Sequence, residues 1–319
     1  MERILAADIG GTNSRFAAFT VDRAGRLKMA EKTWLPSSEA ESFAQLLQQL
    51  EDADFSLSPS EADVVVMALA GPVMHGTYCN PTNLPWDVDF SNSRERFGVR
   101  YGRLLNDFAA QAYACRTKAV AKAKTIQDNK IDPAAALGVI GAGTGLGHCA
   151  LMPLAEGGFV AAPSEAGHTA FPFIGEREKE YERFVLDKTG QPYAIGDIVV
   201  AGRGLSMVHE FLAGEDLAPQ EVGARLADSP ETVEWFARFY ARACRHYALN
   251  ILAMGGLYIS GGVAAKNPSL VTHPAFMREF LESPTQEAVL RDIPVFLNSN
   301  EDSGLYGAAL YGQNLLQGR

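Results

Sequence analysis

Residues 4–19 read I-L-A-A-D-I-G-G-T-N-S-R-F-A-A-F. An apolar run climbs to a single acid, Asp8, turns through Gly10, Gly11, Thr12 and Asn13, and resumes as a second apolar run over Phe16–Phe19. Two such runs joined by a short glycine-containing turn predict a β-hairpin. Glycine lets backbone N–H groups face outward with no Cβ in the way, and Thr12 and Asn13 add side-chain donors. A concave set of donors beside a carboxylate suits a polyphosphate and its metal ion. One such turn, taken alone, reads as a hairpin that merely needs glycine for positive φ. The chain, however, does it again.

Leu137–Ile140 is a second apolar strand that meets G-A-G-T-G-L-G at 141–147 and continues as His148–Met152. Asp63–Leu69, a continuous apolar run, ends at Ala70-Gly71-Pro72, and Leu257–Ser260 enters Gly261-Gly262 in the same way. Matching strand–glycine signals in two halves predict a duplicated α/β unit with a cleft between the copies. Between these landmarks, Leu27–Leu35 reads as a third strand. Ser37 or Ser38 then caps a helix through Leu50, with Phe43, Leu46, Leu47 and Leu50 on one face. Met74–Val88 reads as irregular. Arg103–Leu105 is a short strand leading through Asn106 and Asp107 into a helix from Phe108, and Ile293–Leu297 is the last strand. Asp302-Ser303 caps a closing helix whose Gly304, Gly307, Ala308 and Ala309 permit close packing, read as returning to the N-terminal domain. The expected division is a small domain of 1–106 plus about 299–319, and a large domain of 107–298.

Composition narrows the function. The 319 residues carry 38 acids against 28 bases, a net charge of −10, which argues against a nucleic-acid surface. The four cysteines, Cys79, Cys115, Cys149 and Cys244, show neither a C-x-x-C pair nor ligand spacing, and read as reduced, packed thiols of a cytoplasmic protein. No signal-peptide pattern opens the chain. Tyr247–Ala265 is uncharged and long enough to raise the question of a membrane span. Asn250 and two Gly-Gly pairs divide it into a helix end and a strand.

Gly141–Gly147 is no dinucleotide fingerprint, because a strand rather than a helix follows it, and no G-x-x-x-x-G-K-[ST] loop occurs. Two Gly/Thr hairpins instead suit a nucleoside triphosphate held between two lobes. D-I-G-G-T-N at 8–13, G-A-G-T-G-L-G at 141–147 and S-G-G-V at 260–263 resemble the two phosphate loops and the adenosine loop of the actin-like sugar kinases. L-L-N-D-F at 104–108 and S-E-A-G-H at 164–168 sharpen the resemblance to the bacterial glucokinases, across nearly the whole chain and in order.

That resemblance implies a duplicated actin-like, ribonuclease H-like ATPase fold and phosphoryl transfer from ATP to the 6-hydroxyl of glucose. Asp107 would be the base. Asn106, Glu165 and His168 would hold sugar hydroxyls, and Asn83 would line the sugar pocket. Asp197 in A-I-G-D-I falls where the family usually has a sugar-binding Glu, and reads equally as a helix cap. Asp8, Ile9, Gly10, Gly11, Thr12 and Asn13 would bind the nucleotide with Gly141, Gly143, Thr144, Gly145, Gly261 and Gly262. Mg²⁺ would sit on the phosphates with no direct protein ligand, Asp8 acting through water. Glucose binding would close the lobes, and a homodimer is implied. Each residue also has a plainer reading: Asp107 as an N-cap, His168 as a core histidine, Glu165 as a surface acid and Asn83 as turn chemistry. The region after His168 lacks the cysteines of the zinc motif found in the related ROK family. Another hexose or amino sugar as acceptor, or a non-kinase actin-like ATPase, are the competing readings.

Overall fold

The computed structural model describes residues 2–318. These form two compact units, one of residues 2–121 with 300–318 and the other of residues 122–299.

In the first unit β1 (Glu2–Ile9) and β2 (Ser14–Val21) form the expected hairpin, in register from Glu2↔Val21 to Ile9↔Ser14. β3 (Leu27–Leu35) pairs antiparallel with β2 as an edge strand whose side chains alternate between half-buried and exposed. β4 (Val64–Leu69), buried throughout, runs parallel to β1, and β8 (Gly102–Asn106) runs parallel to β4. The sheet order is β3-β2-β1-β4-β8. A strand covered on both faces needs an unbroken apolar sequence, and V-V-V-M-A-L supplies one.

α1 (Phe43–Asp52) buries Phe43, Leu46, Leu47 and Leu50 as the periodicity requires, but neither Ser37 nor Ser38 caps it. Ser42 does, accepting from the Gln45 amide at 3.2 Å. Ser37 is buried in a 3₁₀ turn, its hydroxyl 2.7 Å from that of Ser14. The stretch read as irregular contains a small meander, β5 (Val73–Met74), β6 (Tyr78–Cys79) and β7 (Val88–Asp89), of strands too short for a periodicity to register. α2 (Ser93–Phe97) stops at Gly98, which takes φ +68°.

α3 (Asp107–Ala114) packs against α13 (Ser303–Leu316), and this is why the first unit extends to residue 121 and does not stop at 106. The two helices approach so closely that a Cβ on Gly307 would overlap the Ala110 carbonyl. Gly312 lies over Ile4, Val64 and Val66, so α13 covers β1 and β4 as its small residues suggested.

The second unit repeats the plan. β9 (Lys124–Gln127) is followed by the hairpin of β10 (Leu137–Ala142) and β11 (Leu146–Pro153), then by β12 (Phe159–Ser164). β13 (Leu257–Ser260) runs parallel to β10, and β14 (Val295–Leu297) parallel to β13. The order β12-β11-β10-β13-β14-β9 reproduces that of the first sheet, with β9 added antiparallel at the edge. Helices α4 (Glu176–Thr189), α5 (Gly196–Val199), α6 (Gly202–Ala213), α7 (Pro219–Arg225) and α8 (Pro230–Ile251) separate β12 from β13. α9 (Gly262–Lys266), α10 (Ser269–Thr272), α11 (Pro274–Leu281) and α12 (Glu287–Asp292) separate β13 from β14.

α8 starts on Pro230, ends where Leu252 turns to φ +47°, and stacks Trp235, Phe239 and Tyr240 into the core. Its Arg242 is fully buried between the Glu178 carboxylate of α4 (2.6 Å) and that of Glu279 on α11 (2.8 Å), and also donates to the Pro172 carbonyl. The uncharged stretch at 247–265 is thus a helix end, a strand and the start of α9. Among the described residues no helix is long and apolar enough to cross a membrane.

Candidate functional site

In the first unit the site residues gather at the carboxyl ends of the parallel strands, where α/β sheets open toward ligands. Ile9 and Asn106 both pair with Leu69, so the Gly10–Asn13 turn, Gly71 and the Asn106-Asp107 step share one end of the sheet. Gly10 donates to the Asn13 carbonyl at 3.1 Å and closes the turn, leaving Thr12 and Asn13 exposed. Ile9 is buried, so only its backbone is available to a ligand. Asn83 lies against Gly11, where an added Cβ would come within 2.7 Å of the Asn83 Cβ.

Asp8 is the one polar side chain in the inner part of β1, 23 % exposed, with Arg15 Nη1 3.8 Å from its carboxylate. Burial pushes its carboxyl above the ordinary carboxylate range, against the opposing pull of Arg15. Gly304, at the start of α13, leaves room for that carboxylate. Arg15 itself stacks over Trp34 and donates to the Glu301 backbone.

The step from β8 to α3 differs from expectation in one respect. Asn106, not Asp107, is the N-cap: its side chain accepts from the amides of Phe108 (3.0 Å) and Ala109 (3.2 Å), and its Nδ2 donates to the Gly71 carbonyl at 3.1 Å. Asp107 is the first helical residue, with Oδ1 2.9 Å from the Phe108 amide. The Cys79 thiol is pushed up to about 11, chiefly by burial and then by the Asp107 carboxylate.

In the second unit the Gly143–Gly145 turn is held from three sides. Gly143 donates to the Gly145 carbonyl (2.8 Å), the Leu146 amide donates to Asp197 Oδ1 (2.6 Å), and Gly202 at the start of α6 donates to the Gly143 carbonyl (2.9 Å). Behind the turn, Tyr240 of α8 accepts from the Ala142 amide at 3.0 Å. Asp197 therefore spends one oxygen bracing the turn, an anchoring role that neither of its sequence readings contained.

The glycines divide into two kinds. Gly141, Gly145 and Gly261 are demanded by the fold, since a Cβ on them would strike Ser260, Asp197 and the Ala142 carbonyl respectively. Gly143 and Gly262 face open space. Both line a cavity of about 1020 Å³, with Thr144, Arg203, Pro219 and Lys266 also on its wall. Sequence reasoning missed the contribution of α6 and α7 to this cavity, although A-G-R-G-L at 201–205 carried a glycine signal like the others.

Glu165 precedes and His168 ends the 3₁₀ turn Ala166–His168 that follows β12 and packs on β11. His168 Nε2 is 3.6 Å from Glu165 Oε2, and both side chains are exposed, which removes the reading of His168 as a core histidine. Among the described residues no group of three or more His, Cys, Asp or Glu side chains could hold a metal ion.

Comparison with known proteins gives the family. The profile of the Glucokinase family matches residues 5–315. The chain is similar to the glucokinase of Chromobacterium violaceum, 31% identical with 96% of this chain and 88% of that one covered. It is similar to the glucokinase of Pseudomonas paraeruginosa, 30% identical with 98% and 93% covered. Among solved structures, glucokinase from an Antarctic psychrotroph superposes with a TM-score of 0.84 at 26% identity, covering 98% of this chain and 99% of that one. The fold is that of the actin-like ATPases, each unit carrying one copy of the same strand order. The chain belongs to the glucokinase family.

Proposed function

We infer that the protein is an ATP-dependent glucokinase, transferring the γ-phosphoryl group of ATP to the 6-hydroxyl of glucose to give glucose 6-phosphate and ADP. The observation that carries this reading is the Asn106-Asp107 pair. Asn106 caps α3, so the neighbouring carboxylate sits rigidly at the sheet end without being needed as the cap. Asp107 takes the proton of the 6-hydroxyl as the bond to phosphorus forms. Asn106, Glu165 and His168 hold the other hydroxyls, each of which offers a donor and acceptors, with Asn83 lining the sugar pocket. Thr12 and Thr144 donate to phosphate oxygens beside the backbone amides of their turns. One partly exposed carboxylate, Asp8, next to a donor-rich turn fits Mg²⁺, which keeps several waters and binds mainly to phosphates. Bound there through water to Asp8, the ion would neutralise phosphate charge.

A coupled kinase assay across sugars and phosphoryl donors tests the reading. Glucose with MgATP should give the highest kcat/KM, and a higher value for another hexose, or no turnover with any sugar, would overturn it.

Two variants separate the halves of the site. Gly143→Val places a branched side chain where the protein has open space, so the fold should tolerate it while nucleotide phosphates should not. Calorimetric titration should show ATP affinity reduced and glucose binding unaltered; full ATP affinity in the folded variant would remove the turn from the nucleotide site. His168→Ala should raise the glucose KM about tenfold to a hundredfold, as expected for roughly 1.5–3 kcal/mol from one charge-assisted hydrogen bond. The KM for MgATP should stay within about twofold. An unchanged glucose KM would leave His168 as a surface residue.

A further inference from the structure

Arg203 is the second residue of α6, next to Gly202, whose amide is bonded at 2.9 Å to the carbonyl of Gly143. Its backbone is therefore fixed beside the Gly143–Gly145 turn, and its side chain lines the same cavity as Gly143 and Thr144. It is exposed, and among the described residues it makes no ion pair or side-chain hydrogen bond. Ser206, three residues on and so on the same face of the helix, lines the cavity as well. Its hydroxyl is buried without a protein partner among the described residues. Lys266 reaches the cavity from α9, but among the described residues no backbone hydrogen bond ties that helix to the turn as Gly202 ties α6. The acid on the wall, Asp216, lies 3.8 Å from Lys188. A guanidinium with no ion pair among the described residues, on a chain of net charge −10 and anchored beside the Gly143–Gly145 turn, has no structural employment there. Its planar fork of donors matches two oxygens of a phosphate at once, which an ammonium cannot do.

We propose that Arg203 recognises the polyphosphate of the phosphoryl donor, setting affinity by the donor's phosphates and not by its base or ribose. The proposal rests on the nucleotide reading of the cavity and adds to it the residue that selects for charge. Arg203 is thereby a specificity-determining residue. Its removal penalises each ligand according to whether that ligand carries phosphate.

The test is a ladder of dissociation constants for adenosine, AMP, ADP and ATP, measured with the full-length protein and with Arg203→Gln and Arg203→Lys. In Arg203→Gln, adenosine should bind within about twofold of the parent, while ATP should bind roughly ten- to a hundredfold more weakly. Whatever penalty ADP shows should persist in ATP. Arg203→Lys should fall between the two, because it keeps the charge and loses the fork. The KM for ATP should follow the same order while the glucose KM stays put. An equal loss for all four ligands, adenosine included, would mean that Arg203 supports the cavity wall and would overturn the proposal. So would an unchanged ladder. A parent protein that binds all four but shows no effect of the substitution sinks only the role of Arg203, whereas one that binds none of them sinks the nucleotide reading and this one together.

Discussion

Asp107→Asn is expected to lower glucose turnover by about 10²–10⁴-fold, the usual range for loss of a general base, with the melting temperature and glucose affinity nearly unaltered. The substitution keeps the size and polarity of the side chain and removes its negative charge and its capacity to take a proton. The structure makes this comparison cleaner than the sequence did. Had Asp107 been the cap of α3, Asn would have replaced it at little cost and a stability effect would have been invisible either way. Because Asn106 holds that post, with 3.0 and 3.2 Å bonds to the first free amides, and because Asp107→Asn keeps a side-chain oxygen able to accept from the Phe108 amide, the helix start should lose little. Any fall in kcat at constant stability then reports chemistry. The measurements are kcat and a melting curve on the same preparation; a folded variant phosphorylating glucose near the parent rate would end the case for Asp107 as base.

Arg242→Met should destabilise the protein by about 3–5 kcal/mol, the usual consequence of removing one partner from a buried ion pair. Arg242 is fully buried, and its guanidinium satisfies two carboxylates, Glu178 and Glu279, that are themselves almost wholly buried. Methionine fills similar apolar volume, so the loss measures stranded charge and not a cavity. Burial alone would push the Glu279 carboxyl up. The bond and charge of Arg242, with Arg245 and Arg238, more than reverse this and hold it below the ordinary glutamate value.

A depressed carboxyl contributes stability that is present above the unfolded value near 4.5 and is lost as pH falls through the folded one. The parent should therefore give up this contribution only in acid. Denaturant midpoints at neutral pH and in steps below pH 5 read both effects. An unfolding free energy at neutral pH within about 0.5 kcal/mol of the parent would show that Arg238 and Arg245 suffice to neutralise the two acids. Replacing Glu178 and Glu279 by Gln in the same chain should recover part of the loss, since no buried carboxylate is then left unpaired.

Much of this architecture was legible because its signals are local. The hairpins at 4–19 and 137–152 announce themselves by apolar runs and glycine, and V-V-V-M-A-L has the texture of a central strand, which it forms. What stayed hidden depends on partners distant in sequence. No periodicity says that Ser37 bonds to Ser14 and so leaves the capping of α1 to Ser42. The two-residue strands β5, β6 and β7 are below the length at which alternation can be read. The division between units was misjudged at 106 because α3 is assigned by its contact with α13, nearly two hundred residues away. Glu165 and His168 were legible as motif residues. The bracing roles of Asp197, Tyr240 and Gly202 were not, since each acts on a turn far along the chain.

The first unit is finished by a helix that the ribosome makes only after the second unit. Residues 2–121 emerge with β1, β4 and α3 lacking the cover that Leu305, Ala308, Ala309 and Gly312 will supply. The whole of the second unit must then be synthesised before that cover arrives. At the usual pace of translation the delay is on the order of ten seconds or more. The second unit, drawn from one uninterrupted stretch, has no such wait. The nascent chain thus carries an open apolar sheet face for as long as the second unit takes to be made, the sort of surface that chaperones bind and that neighbouring nascent chains aggregate through.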